Sequence, residues 1–498
     1  MNNSATRPAH EKQWLGHPRG LSTLFFTELW ERFSYYGMRA LLILYMTARH
    51  TDGGLEFDVA IAGAIYAVYT ASGYMLSLPG GWIADNLLGH RKSVIVGGIM
   101  ISAGNFMLAT PSIVLFYVGL ATIAMGTGLL KPNASTMVGM LYKEGDARRD
   151  SGFSIYYMGI NIGAFSAPLI CSFIGEQINW HLAFVASGVG MIVGLIQYVY
   201  GTKYLGEAGK HPAPAKDDAE KQRRVRNFVI GIGSIAAIIV LIIILDKTGT
   251  ADITVERVAN AFGIVLALIA VLTFAWIFMA GHWTRVERNR LLVIVLLFFC
   301  AALFWGAFEQ HGSSINLFAR DHTNRVIFGW EFPAGYFQSL NALFIVIFAG
   351  VFAWLWLALG RRNREPSSPS KFAIGLLLVG LGYFIMVAAA FFVSGGGRVS
   401  PFWLVTAMLF HTFGELALSP VGLSTVTKLA PARVAGLMMG VWFLAGSVGN
   451  YMGGRLAGFY ETLPLPKLFA IVALVPIAAG LLLFMFVRPI KRLMGGVN

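Results

Sequence analysis

Fourteen hydrophobic helices crossing a lipid bilayer, grouped as six, two and six, make up the all-α membrane architecture that this sequence predicts. Three observations carry the prediction. Of 498 residues, 56% are hydrophobic and only 13% charged, against about 25% charged in an ordinary soluble protein, and mean hydropathy is +0.66. Apolar runs recur along almost the whole chain, each near the roughly 20 helical residues needed to cross about 30 Å of hydrocarbon. The basic residues are also segregated. If the runs span in alternation, 27 of the 38 lysines and arginines fall on one side, seven on the other, and four (Arg32, Arg39, Lys131, Arg455) within spans. That asymmetry places the basic side, and both termini, in the cytoplasm. It also accounts for the net charge of +13 without a nucleic-acid partner. A long soluble enzyme, a disordered chain and a collagen are excluded. So is a disulfide scaffold, since Cys171 and Cys300 each lie in an apolar run.

With no water to satisfy backbone groups, spanning runs must be helices or a closed barrel, and these runs are too long for barrel strands. A polar tail, 1–21, lacks the apolar core of a cleavable signal peptide. Six spans follow near 22–47, 59–83, 93–109, 112–132, 153–175 and 181–201, forming a first bundle over 22–201. Residues 202–226 carry Lys203, Lys210, Lys216, Lys221, Arg223, Arg224 and Arg226 and read as a solvated cytoplasmic linker. The next two spans, 227–245 and 257–280, hold no ionisable residue at mid-span. They read as a lipid-facing hairpin inserted over 227–290. The second bundle, 291–487, has spans near 291–311, 334–359, 371–393, 402–427, 433–459 and 466–487, before a cytoplasmic tail, 488–498. Two halves of this kind place a substrate at the midplane between them.

Charges inside spans are costly, so they are expected to face the interior and have a task. In the first span Glu28, Glu31, Arg32, Tyr35 and Arg39 fall at i, i+3, i+4, i+7 and i+11, one face of a helix. That stripe lines a polar cavity, or else it is an ion-pair cluster that only locks helices together. Lys131 closes a Gly126-Thr127-Gly128 run, where small residues allow close packing, and Pro132 is expected to break the helix; the plainer reading is a snorkelling lysine. Glu309 and Glu415 each stand in an otherwise apolar span, as a functional acid or as a tolerated protonated one. The first half thus supplies cations and the second half acids, a pattern suited to gripping a zwitterion by its two ends. Asn161 and Asn341 suit a peptide-like amide or a bond between helices. Tyr35, Tyr36, Tyr74, Trp305 and Trp442 suit side-chain pockets or ordinary packing. His311 and His411 suit a proton relay or, with no partner visible, a structural role. No nucleotide loop, haem motif or nucleophile elbow occurs. No metal site or cofactor is expected.

Residues Gly80 to Lys92, GGWIADNLLGHRK, resemble the cytoplasmic loop signature of the major facilitator superfamily, in which Asp85 and Arg91 would brace helix ends as a latch. Glu28 to Gly37, ELWERFSYYG, resembles the E-x-x-E-R-F-x-Y-Y-G signature of the proton-dependent oligopeptide transporters at every fixed position. Phe153 to Gly163 and Gly414 to Ser424 resemble two further signatures of that family, and the extra hairpin is similar to what prokaryotic members carry. The resemblance implies a major facilitator fold and proton-coupled import of di- and tripeptides by alternating access, without enzymatic chemistry. It implies that Arg32 and Lys131, with Tyr35, hold the peptide carboxylate, and that Glu415, Asn161 and Asn341 hold its amino group. Glu28, Glu31 and Arg32 would take part in proton coupling together with Glu309. Arg39 against Glu309 would form the outer gate and Lys131 against Glu415 the inner one. Tyr36, Tyr74, Trp305 and Trp442 would line side-chain pockets. Eukaryotic members have a histidine in the second span; none lies in 59–83, so coupling is expected to rest on carboxylates. A functional monomer in contact with membrane lipid is expected. The rival readings are a proton-coupled exporter of drugs, and a membrane receptor or enzyme whose acids are catalytic or structural.

Overall fold

The computed structural model describes residues 13–143 and 145–496. Among these, fourteen helices of seventeen residues or more, with three short ones, form the body. The first group comprises α1 (Gly20–Thr47), α2 (Val59–Met75), the short α3 (Ser77–Ile83), α4 (His90–Leu108), α5 (Ile113–Met140), α6 (Arg149–Gln177) and α7 (Trp180–Gly201). The inserted pair is α8 (Asp218–Lys247) and α9 (Val255–Ala280). The last group comprises α10 (Arg285–Phe308), the short α11 (Ser314–His322), α12 (Ser339–Arg361), α13 (Ser368–Val393), α14 (Phe402–Leu429), α15 (Ala435–Ala457), α16 (Leu465–Met485) and the short α17 (Val487–Leu493). Eleven helical stretches are long and apolar enough to cross a membrane by composition alone; α1, α4 and α15 are not among them. In α1 the reason is the buried charge stripe. In α15 it is a run of glycines with Asn450 and Arg455.

Within the first half α1 packs on α6 and α7, and α4 on α5 and α7; within the second, α10 packs on α15, and α13 on α14 and α16. The halves meet along two seams, α2 with α15 and α6 with α12. At the first seam the chains touch backbone to backbone. A side chain on Gly454 would run into Ala67, and one on Gly63 would meet the Gly454 carbonyl and the Gly458 backbone, the close approach that small residues permit between membrane helices.

The inserted pair divides into two unlike helices. Helix α8 has no buried residue at all, as expected of a helix whose whole surface lipid can solvate. Helix α9 buries Ala259, Leu266, Ala270 and Ile277 against α2 and α15, and its Ala259 carbonyl accepts the Tyr451 hydroxyl at 2.9 Å. The reading of the hairpin as wholly lipid-facing therefore holds for α8 only, since α9 covers the outside of a seam.

Three other local expectations are corrected. Pro132 does not end its helix, because α5 continues to Met140. The ring only removes the bond to the Gly128 carbonyl, at a level where Gly128 already packs against Leu76. The second span is interrupted at Leu76 and finishes through α3 and a π turn, Ala84–Leu88. The basic linker is not merely a solvated loop: Arg91 donates to the Ala208 carbonyl at 2.7 Å and to the Gly206 carbonyl, and α8 begins at Asp218, with the Asp217 side chain capping Glu220 N–H at 2.6 Å.

Candidate transport site between the two halves

The stripe on α1 folds into one buried ion network. Arg32 lies between Glu28, at 3.3 Å, and Glu31, to which it donates twice, one of the bonds at 2.6 Å. Glu28 also accepts the Tyr156 hydroxyl from α6 at 2.5 Å. Glu31 has no exposed surface, and Glu28 and Arg32 almost none. Two carboxylates thus share one guanidinium, away from solvent. Tyr35 and Tyr36 pack edge to face at 5.2 Å, and the Arg32 guanidinium sits 5.1 Å from the Tyr35 ring centre.

One helical turn further out, Arg39 reaches across to the second half. Its guanidinium pairs with Glu309 at 2.8 Å and donates to the Tyr66 hydroxyl at 2.8 Å. Glu309 is placed there because α10 stops at Phe308 and the chain makes a tight 3-10 turn, Glu309–Gly312, deep in the protein. Irregular backbone at such depth is tolerated only where protein encloses it. Here Gln310 bonds the Gly453 carbonyl at 3.0 Å, Ser314 bonds Gln310 at 2.5 Å, and Gly312 leaves room for Tyr66 and Arg39.

Beyond this pair, on the face away from the basic linker, bonds join the two halves. Asn316 and Gln338 both donate to the Ala40 carbonyl, at 2.9 and 3.4 Å, and Arg320 donates to Thr47 at 2.7 Å. Ser339 donates to the Phe165 carbonyl at 2.8 Å, along the α6 and α12 seam. Glu176, at the end of α6, accepts the backbone N–H groups of Ala334 and Gly335 at 2.7 and 2.9 Å, with Arg325 3.7 Å away. This clamp leaves no local signal, because Glu176 sits at a span boundary where a solvated carboxylate is ordinary.

Toward the opposite face the charges are apart. The Lys131 ammonium lies over the Tyr74 ring, 3.9 Å from its centre, an arrangement within the first half. Glu415 accepts from Asn341 at 2.9 Å, and Asn341 also donates to Thr412 at 3.1 Å, both within the second half. Lys131 and Glu415, the expected inner pair, form no ion pair in this structure. Tyr74 lies where the halves meet, its ring under the Lys131 ammonium of the first half. Its ring also faces Gly446 of α15.

The remaining sequence-derived residues fall in different places. Trp305 packs edge-on against Phe304 and Phe308, and Trp442 against Phe372 beside Gly422; both rings are partly accessible. Asn161 is buried and donates to the Tyr157 carbonyl one turn back at 2.9 Å, so its amide is not joined to Glu415 and Asn341. Asp85 and Arg91 are not joined to each other: the Asp85 carboxylate lies 3.3 Å from His90, while Arg91 holds the linker. His311 and His411, without a visible partner in the sequence, are partners of each other, their rings meeting at 2.7 Å. Their separation of a hundred residues left no local signal to find.

Comparison with known proteins agrees with this geometry. Residues 91–471 match the PTR2 model, described as the POT family. The peptide transporter YePEPT of Yersinia enterocolitica is 42% identical, the alignment covering 100% of this chain and 99% of that one. A di-/tripeptide transporter of Lactococcus lactis subsp. cremoris is 38% identical over 98% of this chain and 99% of its own length. A crystal structure of a peptide transporter POT in complex with sulfate superposes with a TM-score of 0.92, at 41% identity and 98% coverage of both chains. A POT family transporter crystallised with 5-aminolevulinic acid gives 0.90 at 34% identity, covering 96% of this chain and 98% of that one. With two six-helix bundles, an inserted helix pair and this agreement along nearly its entire length, the chain is an integral membrane transporter of the major facilitator fold and belongs to the POT family.

Proposed function

We propose that this protein imports di- and tripeptides together with protons by alternating access, as a monomer in the bacterial inner membrane with both termini cytoplasmic. The observation that carries the proposal is the asymmetry between its two charge pairs. Arg39 and Glu309 are joined and the outer rim is sealed, whereas Lys131 and Glu415 stand separated around Tyr74. An unpaired cation on one wall and an unpaired acid on the other suit a zwitterionic peptide, its carboxylate held by Lys131 with Arg32 and Tyr35, and its ammonium by Glu415 with Asn341. Tyr36, Trp305 and Trp442 surround the side chains. The peptides named for the Yersinia and Lactococcus relatives support this substrate class.

The coupling follows from the same charges. A carboxylate facing a buried cation stays ionised, and losing that cation favours its protonation. Breaking Arg39–Glu309 on outward opening therefore makes Glu309 a proton acceptor, and the protonated acid no longer draws the gate shut by charge alone. Peptide binding between Lys131 and Glu415 screens their attraction until release inside. Glu28, Glu31 and Arg32 hold the second proton-sensitive cluster. One proton driven by 100 mV supplies about 2.3 kcal/mol, enough for a gradient of about 50-fold, provided proton and peptide favour the same state.

Uptake of labelled dialanine into proteoliposomes under an inside-alkaline gradient tests the proposal. Saturable accumulation abolished by a protonophore is expected. Extrusion against the imposed gradient favours an exporter, and binding without uptake favours a receptor; either result overturns the proposal.

A further inference from the structure

Two buried histidines connect the elements that carry the acids of the two charge pairs. His311 Nε2 and His411 Nδ1 lie 2.7 Å apart, and both rings are almost without exposed surface. His311 belongs to the same turn as Glu309, two residues before it. His411 lies on α14, one helical turn before Glu415. At 3.6 residues per turn, His411 and Glu415 share a helix face. The bond therefore runs from the turn that presents Glu309 to the helix that presents Glu415.

The surroundings hold both rings in place. Phe308 packs on His311 at 4.6 Å between ring centres, and Tyr383 of α13 stacks on His411 at 4.5 Å. The Tyr383 hydroxyl donates to the Ala307 carbonyl at 2.7 Å, tying α13 to the end of α10. Gly382 allows the approach, since a side chain there would strike the His411 ring. Of the charged groups, Arg39 from α1 acts on His311, and Glu309 stands two residues before it in the same turn. Only one hydrogen lies between the two nitrogens, so one imidazole donates and the other accepts. A bond between two rings this buried is strongly specified, because breaking it leaves polar atoms unsatisfied away from water.

We propose that His311 and His411 are positioning residues for coupling: their bond transmits a shift of α14 on peptide binding at Glu415 to the turn that holds Glu309 against Arg39. This inference rests on the proton-coupled peptide transport proposed above. Packing alone would require only rings of suitable size; transmission requires the bond.

The test uses the full-length protein in proteoliposomes, comparing His311→Leu, His411→Leu and the double variant with His311→Gln and His411→Asn. A glutamine amide nitrogen or oxygen falls near the position of Nε2, and an asparagine amide near that of Nδ1, so these two can restore the bond. Gradient-driven dialanine accumulation and gradient-free counterflow are both measured. Each leucine variant is expected to lose accumulation by at least about fivefold, the lower end of coupling between sites, while counterflow falls by less than half. The double variant should match the singles, since both remove the same bond, and the amide variants should recover most of the accumulation. Unchanged accumulation in the leucine variants, or a parallel fall in both assays that the amides do not rescue, overturns the inference. If the unmodified protein itself fails to accumulate dialanine, the transport reading has failed instead.

Discussion

The outer and inner halves of the cleft are built from the same kinds of residue yet are in opposite conditions. Outside, Arg39 and Glu309 are paired, and Asn316, Gln338, Arg320, Ser339 and Glu176 all bond across the two bundles. Inside, Lys131 rests on Tyr74 and Glu415 on Asn341, each satisfied within its own bundle. The difference teaches how such a carrier avoids a trap. Three of the four gate charges have a partner on their own side of the cleft: Arg39 has Tyr66, Lys131 has Tyr74, and Glu415 has Asn341. For these three, opening does not strand a charge, and stranding is the large cost inside a membrane; Glu309 has Arg39 as its ion partner.

The largest effect expected from breaking this comparison comes from the outer pair. Arg39→Ala leaves Glu309 as an uncompensated buried carboxylate, a loss of about 3–5 kcal/mol. It should appear as a lowered thermal midpoint and as loss of gradient-driven uptake, and Arg39→Lys should recover part of both. Glu31→Gln comes next. It leaves Arg32 with Glu28 as its single acid, and it should abolish accumulation while counterflow is at least partly retained; normal accumulation would refute a coupling role for Glu31. Glu176→Gln sharpens the comparison at the rim. The two backbone bonds keep an oxygen acceptor but lose charge assistance, about 1 kcal/mol. A Ser339→Cys reporter on the α6 and α12 seam should then react about fivefold faster with an impermeant maleimide added outside. Arg91→Ala has the smallest expected effect. It frees the linker after α7 with transport changed by less than about twofold, as for a partly exposed contact, and faster proteolysis between Leu205 and Lys216 would report it.

The parts of this arrangement that were legible in the sequence are those written at helical spacing. Glu28, Glu31 and Arg32 are three and four residues apart, so a helix puts them in one network whatever surrounds it, and α1 does so. Span positions were legible because lipid forbids exposed backbone. What the sequence hid depends on a third dimension. The break of α10 after Phe308 carries no proline, only Gly312 at its end, and the turn is held by tertiary bonds such as Gln310 to Gly453. The continuation of α5 through Pro132 to Met140 has no local signal either. The Glu176 clamp joins residues about 160 apart, and the histidine pair residues 100 apart. Asn161 has the composition of a ligand and the geometry of an internal helix bond. Residue type alone does not separate the two.

Competition between end-modified peptides measures the central claim most directly, because it asks whether the cleft grips both termini of one molecule. Transport of labelled dialanine is challenged with unlabelled dialanine, with its C-terminal amide and with its N-acetyl derivative, in the unmodified protein and in Lys131→Ala and Glu415→Gln. The account predicts that each modification weakens competition by about tenfold, the value of a single lost contact of about 1.4 kcal/mol. It further predicts that the amide penalty shrinks in Lys131→Ala and the acetyl penalty in Glu415→Gln. Equal competition by all three peptides in the unmodified protein would contradict it.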